Sequence, residues 1–291
     1  MEREDNDGGG SLTRMETDLY RKRWTVDAAR GAVVLIHGQG EHSGRYEHAA
    51  AALNAAGYAV YSGDLPGHGR SGGKRGHIDR FEEYIDAAAG WIAEAAELHP
   101  GRPLFLLGHS VGGLIAARLL QTRPDAAVRL TGAILSSPAF RLRMRVPAWK
   151  TALGRRLDRV LPRLAMPSGL KGSRVTRDED MARRREEDPL MVHVASVRFY
   201  NEMLRAQAAA LAEAEHIALP ILVRHGGADE IIEPEPTLEF GRRLGSADKD
   251  VALLAGLHHE IMNEPERDEV LRDIIRWMDV RSQIREGGEP H

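Results

Sequence analysis

The tightest constraint on this chain is the run Leu104-Phe-Leu-Leu-Gly108-His109-Ser110-Val111-Gly112-Gly113. Four apolar residues after Pro103 read as a short buried strand, and Leu114, Ala117 and Leu120 then recur at helical spacing. Between strand and helix stands Gly-His-Ser-Val-Gly, a G-x-S-x-G pattern. A serine forced into so sharp a turn has a strained backbone, so its neighbours must lack bulk, which Gly108 and Gly112 provide. The turn lifts the Ser110 hydroxyl above the sheet. It also sets the Val111 amide at a helix N-terminus, where it can stabilise an oxyanion. A glycine-rich turn with an incidental serine would look the same over these ten residues. What decides is whether the rest of the chain supplies a nucleophile's partners.

The surrounding pattern is that of an α/β protein. An edge strand is expected over 19–24 and buried strands over 32–36, 58–61, 104–107, 133–136, 221–225 and 251–254. Helical periodicity occupies about 46–56, 81–98, 236–244 and 266–280. Strands separated by helices of this length imply βαβ units and a mostly parallel sheet. The rhythm breaks over 140–214, which reads as an inserted cap. Residues 17–139 and 215–282 form the core, with a disordered tail over 1–16 and a flexible one over 283–291. Within the insertion, eleven Lys/Arg stand against the single acid Asp158 between Arg141 and Arg177. Trp149, Leu153, Leu157, Val160/Leu161 and Leu164 share a helical face there, with Lys150, Arg155, Arg156, Arg159 and Arg163 around the remainder. Such a basic amphipathic segment suits either packing on the core or a lid in transient contact with anionic lipid.

Composition removes other classes. A formal charge of −3 over 291 residues gives no reason to expect a nucleic-acid partner. The absence of cysteine excludes disulfides, a thiol nucleophile and thiolate metal sites. No apolar leader opens the chain and no run approaches membrane-spanning length, so a cytoplasmic protein, peripheral to membranes at most, is the expectation. His37, His42 and His68 lack metal-motif spacing. Neither a phosphate-binding G-x-x-x-x-G-K-[ST] nor a G-x-G-x-x-G is present, so no cofactor is expected.

A serine nucleophile needs a base, an orienting acid and a second oxyanion donor. Asp229 follows the buried strand 221–225, in a place from which a carboxylate reaches inward. Asp248 and Asp250 precede a strand, at the opposite sheet edge. After 251–254 come His258 and His259, and either suits the base by position. The loop His37-Gly38-Gln39-Gly40 offers the Gln39 amide as second donor.

These residues resemble monoacylglycerol lipases and their bacterial lysophospholipase-like relatives of the α/β-hydrolase fold. The resemblance rests on His37-Gly-Gln-Gly-Glu-His-Ser-Gly-Arg-Tyr46, Asp64-Leu-Pro-Gly-His-Gly-Arg-Ser-Gly-Gly73, Arg75-Gly-His77, Gly108–Gly113, Asp188-Pro-Leu190 and His259-Glu-Ile-Met-Asn-Glu-Pro-Glu-Arg267. It covers roughly residues 17–282. It implies a cap between the sixth and seventh strands of that fold, and a Ser110–His259–Asp229 triad with Gln39 and Val111 as oxyanion donors. His258 then takes a position that is aromatic in the family, and Val111 one that is usually methionine. Glu41, Arg45 and His258 become candidates for the pocket wall. The implied reaction is cleavage of monoacylglycerol to fatty acid and glycerol, with lysophospholipid or simple carboxylester hydrolysis as the alternative. Oligomeric state is not implied.

Overall fold

The computed structural model describes residues 19–144, 154 and 156–286. Seven strands form the main sheet: β1 (Arg21–Trp24), β2 (Gly31–Ile36), β3 (Tyr58–Gly63), β4 (Leu104–His109), β5 (Gly132–Ser136), β8 (Ile221–Gly226) and β9 (Lys249–Leu254). Their order is β1-β3-β2-β4-β5-β8-β9, with β1 antiparallel and the others parallel. β2 to β5 and β8 are buried along their whole length, as their unbroken apolar runs demand. Alternate side chains feed two cores. Val34, Ile36, Leu106 and Leu135 face one side, and Val33, Leu35, Phe105 and Ile134 the other.

Helices α1 (Glu47–Ala55), α2 (Glu82–Leu98), α3 (Val111–Thr122), α6 (Glu235–Arg243) and α7 (Arg267–Glu286) flank the sheet. The last runs past the expected end at residue 280 and into the tail set at 283. Polar residues that look like a helix exit are anchors instead. Arg281 pairs with Asp248 and stacks on Trp277, while Ser282 Oγ lies 2.9 Å from Tyr58 Oη. Asp250 begins inside β9 rather than before it, and its carboxylate receives two 2.8 Å bonds from Arg224. Both alternative acids are thus held at the sheet's far edge.

The inserted segment lies between β5 and β8, the fifth and sixth main-sheet strands in chain order. It carries the antiparallel pair β6 (Ala165–Pro167) and β7 (Val194–Ser196), then α4 (Glu179–Glu187) and α5 (Val197–Ala212). Of the expected basic amphipathic helix, Trp149, Lys150, Leu153 and Arg155 lie outside the described residues. The helix stops at Val160, because Pro162 has no amide to donate and restricts the residue before it. Leu157 faces the interior, whereas Val160, Leu161 and Leu164 are exposed. One apolar stripe does not continue to Leu164. Asp158 is buried and takes a 2.6 Å bond from Arg198.

Three of the motifs that carry the family resemblance tie this insertion to the core loops. His42 Nε2 meets Asp188 Oδ2 at 2.8 Å, Val192 donates its amide to the Gly40 carbonyl, and His77 Nδ1 lies 2.8 Å from Ser196 Oγ. Ser196 also donates its amide to the Gly76 carbonyl.

At the β4–α3 turn, a Cβ on Gly112 would stand 2.2 Å from the Ile36 carbonyl oxygen, and one on Gly108 2.3 Å from that of Gly112. Gly112→Ala is therefore expected to lower Tm by several degrees. Gly90→Ala, on the exposed face of α2 with nothing within 4 Å of the new methyl, is expected to add about 0.5–1 kcal/mol. Thermal melts of both variants check the pair.

Candidate active site

Ser110 sits between β4 and α3 with φ 55° and ψ −118°, in the left-handed half of backbone space. Its amide donates to the Ser136 carbonyl, and its own carbonyl accepts from Leu114 and Ala139, so the strained geometry is held on three sides. Its Oγ donates to His259 Nε2 at 2.8 Å, and His259 Nδ1 donates to Asp229 Oδ2 at 2.7 Å. All three residues are buried. The structure thus brings together the serine, the second histidine of the pair and the aspartate after β8.

Asp229 accepts four bonds. Its Oδ1 takes the amides of Ile231 and Ile232, at 2.7 and 2.9 Å, and its Oδ2 takes both His259 and His225. Burial alone would raise its pKa, but the charge of His259 and the hydrogen bonds from both histidines hold the carboxyl far below the usual range. His259 is the mirror image. Burial, the largest single influence, would lower it, but the charge of Asp229, its hydrogen bond and the nearby charges of Glu260 and Glu41 together lift it above its ordinary 6.5. His225 was not singled out by the sequence. Its ring donates to Asp229 at 3.1 Å and accepts from Thr237 Oγ1 at 2.8 Å, fixing the acid from behind. Its position four residues before Asp229, at the end of a buried strand, was the available signal.

Gln39 and Val111 both line a cavity of about 620 Å³ into which Ser110 and His259 open. The loop carrying Gln39 is clamped by Glu41, whose Oε1 accepts from the Gly38 amide and the Tyr46 hydroxyl. His109 and the Arg45 guanidinium overcome the burial of Glu41 and bring its pKa down to about 2. Of the three wall candidates, Glu41 lines the cavity. Arg45 stands one layer behind, bridging Glu41 and Glu260 at 3.1 and 2.6 Å, and His258 is not among the lining residues. Missed by the sequence were Glu260 and Arg185, the latter hidden among the charges of α4 (Arg183-Arg-Arg185-Glu-Glu187), where only burial distinguishes it.

The other histidines have structural duties. His37 donates to the Gly38 carbonyl and accepts from the Leu65 amide, and His68 donates to the Pro66 carbonyl with Nε2 against the Gln39 side-chain amide. Asp64 builds its glycine-rich loop by accepting from Ser43 and the Arg70 amide. No cluster of three metal-ligating side chains occurs among the described residues.

A serine on a strand–turn–helix, joined by hydrogen bonds to a histidine and an aspartate on loops after later strands of a mostly parallel sheet, defines a serine-type α/β-hydrolase. Residues 27–266 match the family described as serine aminopeptidase, S33, and the chain belongs to that family. A protein named phospholipase YtpA from Bacillus subtilis is 36% identical over 250 residues, covering 86% of this chain and 95% of that protein. A monoacylglycerol lipase from Mycolicibacterium smegmatis is 34% identical over 263 residues, covering 88% and 90%. The crystal structure of Paleococcus ferrophilus monoacylglycerol lipase superimposes with a TM-score of 0.82 at 38% identity, covering 91% of this chain and 99% of that one. The expected fold and family resemblance are borne out.

Because a protonated His259 cannot accept the Ser110 proton, kcat/KM for an uncharged ester is expected to fall as pH drops, with its acid limb above 6.5. Asp229→Asn removes the charge that raises His259. The limb should then move to lower pH while the rate falls by about 10⁴. A pH–rate profile on p-nitrophenyl acetate measures both.

Proposed function

We propose that this chain hydrolyses monoacylglycerols to fatty acid and glycerol through a covalent acyl-enzyme. The observation that carries the reading is the buried Ser110–His259–Asp229 hydrogen-bond chain opening onto a cavity walled largely by apolar side chains, among them Leu142, Leu157, Val197, Phe199 and Met203. Its volume lies in the usual range of small-ligand sites. The family resemblance and the two lipase relatives support a glyceryl ester as substrate.

In this mechanism His259 takes the Ser110 proton as Oγ attacks the ester carbonyl. The Gln39 and Val111 amides hold the oxyanion, and Asp229 keeps Nδ1 protonated and the ring in line. His259 then protonates the departing glycerol and activates the water that releases the acid. The insertion, taken as 140–214, serves as a lid over the acyl tunnel. Val160, Leu161 and Leu164 stand exposed in one stretch with exposed Arg159 and Arg163, a surface suited to meeting lipid. No helix among the described residues is long and apolar enough to cross a membrane.

A peptide substrate with a free α-ammonium would require an unpaired carboxylate. Each acid lining the cavity among the described residues faces an arginine instead: Glu41 Arg45, Glu230 Arg174, and Glu260 both Arg45 and Arg185. The Bacillus relative is named a phospholipase, which favours a second reading, hydrolysis of a phospholipid ester such as a lysophospholipid.

Ser110→Ala is expected to lose labelling by a fluorophosphonate and to lower kcat by something on the order of 10⁶. Full esterase activity in that variant would refute the assignment. In a panel of acyl-matched monoacylglycerol, lysophosphatidylcholine and p-nitrophenyl ester, the monoacylglycerol should show the highest kcat/KM.

A further inference from the structure

Arg185 is the one feature of the cavity wall that the proposed chemistry leaves unused. It projects from α4 of the insertion, is 3% exposed, and lines the cavity together with Ser110, Glu41, Glu260 and His259. Its Nε and Nη1 are buried and have no hydrogen-bond partner. Its ion-pair partner, Glu260 Oε1, is 3.6 Å from Nε, too long for a hydrogen bond. Glu260 spends its other oxygen on Arg45 and Asn263, at 2.6 and 2.7 Å, while Oε1 accepts nothing from the described residues. A buried guanidinium with unmet donors is costly unless a further group completes it.

We infer that Arg185 and Glu260 together bind a hydroxyl of the substrate's alcohol portion, so that Arg185 sets preference for a polyol headgroup. An oxygen about 2.8 Å from each of two atoms 3.6 Å apart closes an ordinary triangle. A hydroxyl can accept from the guanidinium and donate to the carboxylate at once, which a simple alkyl ester oxygen cannot. Charge points the same way. Glu41 and Glu260 balance Arg45 and Arg185, leaving no net positive field for a phosphate, which would also meet two carboxylates. The pair shares one cavity with the reacting atoms, since Arg185, Glu260, Ser110 and His259 all line it.

The inference rests on the serine-hydrolase reading above and names the side chain that would read its leaving group. The test compares 1-lauroylglycerol, methyl laurate and lauroyl lysophosphatidic acid with wild type, Arg185→Met and Arg185→Lys. Wild type should prefer the glyceryl ester. Arg185→Met should raise KM for 1-lauroylglycerol roughly tenfold with kcat little changed, and should lower the glyceryl-over-methyl preference by a similar factor in enzyme that still labels with the fluorophosphonate. Arg185→Lys should recover part of the loss. If wild type cleaves 1-lauroylglycerol and labelled Arg185→Met keeps the same glyceryl-over-methyl preference, the inference fails and the proposed function stands. If wild type labels but does not turn over 1-lauroylglycerol, the proposed function fails. Selective loss of lysophosphatidic acid hydrolysis would overturn the neutral-hydroxyl assignment in favour of phosphate.

Discussion

The site depends first on one uncomfortable residue. Ser110 occupies positive φ because β4 runs straight into α3 without a loop, and a serine in that corner points its hydroxyl away from the sheet. The corner survives because the packing around it leaves no alternative. Gly112 lies against the Ile36 and His37 carbonyls and Gly108 against the Gly112 carbonyl, so α3 is pressed onto β2 as closely as backbone allows. That same closeness brings the Gln39 loop, which follows β2, up to the serine. Strain at a functional residue costs on the order of 1–3 kcal/mol and persists only where the surroundings over-determine it.

Around that corner, the electrostatics are arranged in opposed pairs. Asp229 is fully buried yet ionised, because two backbone amides and two imidazoles supply what water would have supplied. Its charge raises His259, while His109, tilted against His259 with ring centroids 5.0 Å apart, is pushed down to about 4 by burial and by that neighbouring ring. Two adjacent histidines thus differ in basicity because His259 is hydrogen-bonded to a carboxylate, whereas His109 bonds the Ser136 hydroxyl. The base is selected by its partner, and the second ring stays neutral against it.

Much of this was legible in the residues. The buried strands announce themselves as unbroken apolar runs, and the order of serine, acid and histidine follows from loops after successive strands. Adjacent histidines defeated spacing alone, since strand period says nothing about which of two loop residues turns inward, and the family resemblance was needed to prefer His259. Arg185 was invisible for a different reason. In a run of arginines and glutamates, helical periodicity of charge predicts a solvated face, and only the packing of α4 against the core turns one of those side chains inward. The helix expected to Leu164 ended early at a proline in plain view, and the last helix outran its pattern because its final anchors are polar.

The ties between insertion and core have a consequence for modularity. Gly40 gives its carbonyl to Val192, His42 holds Asp188, and Gly76 and His77 both engage Ser196. The loop that carries Gln39 and the insertion above it are thereby a single cassette, sharing backbone bonds across more than a hundred residues of sequence. An insertion transplanted from another hydrolase would arrive without partners for those carbonyls and rings, and would disturb the Gln39 loop before it altered the cavity wall. For this scaffold the natural unit of exchange is insertion plus loops, with the sheet as the invariant chassis.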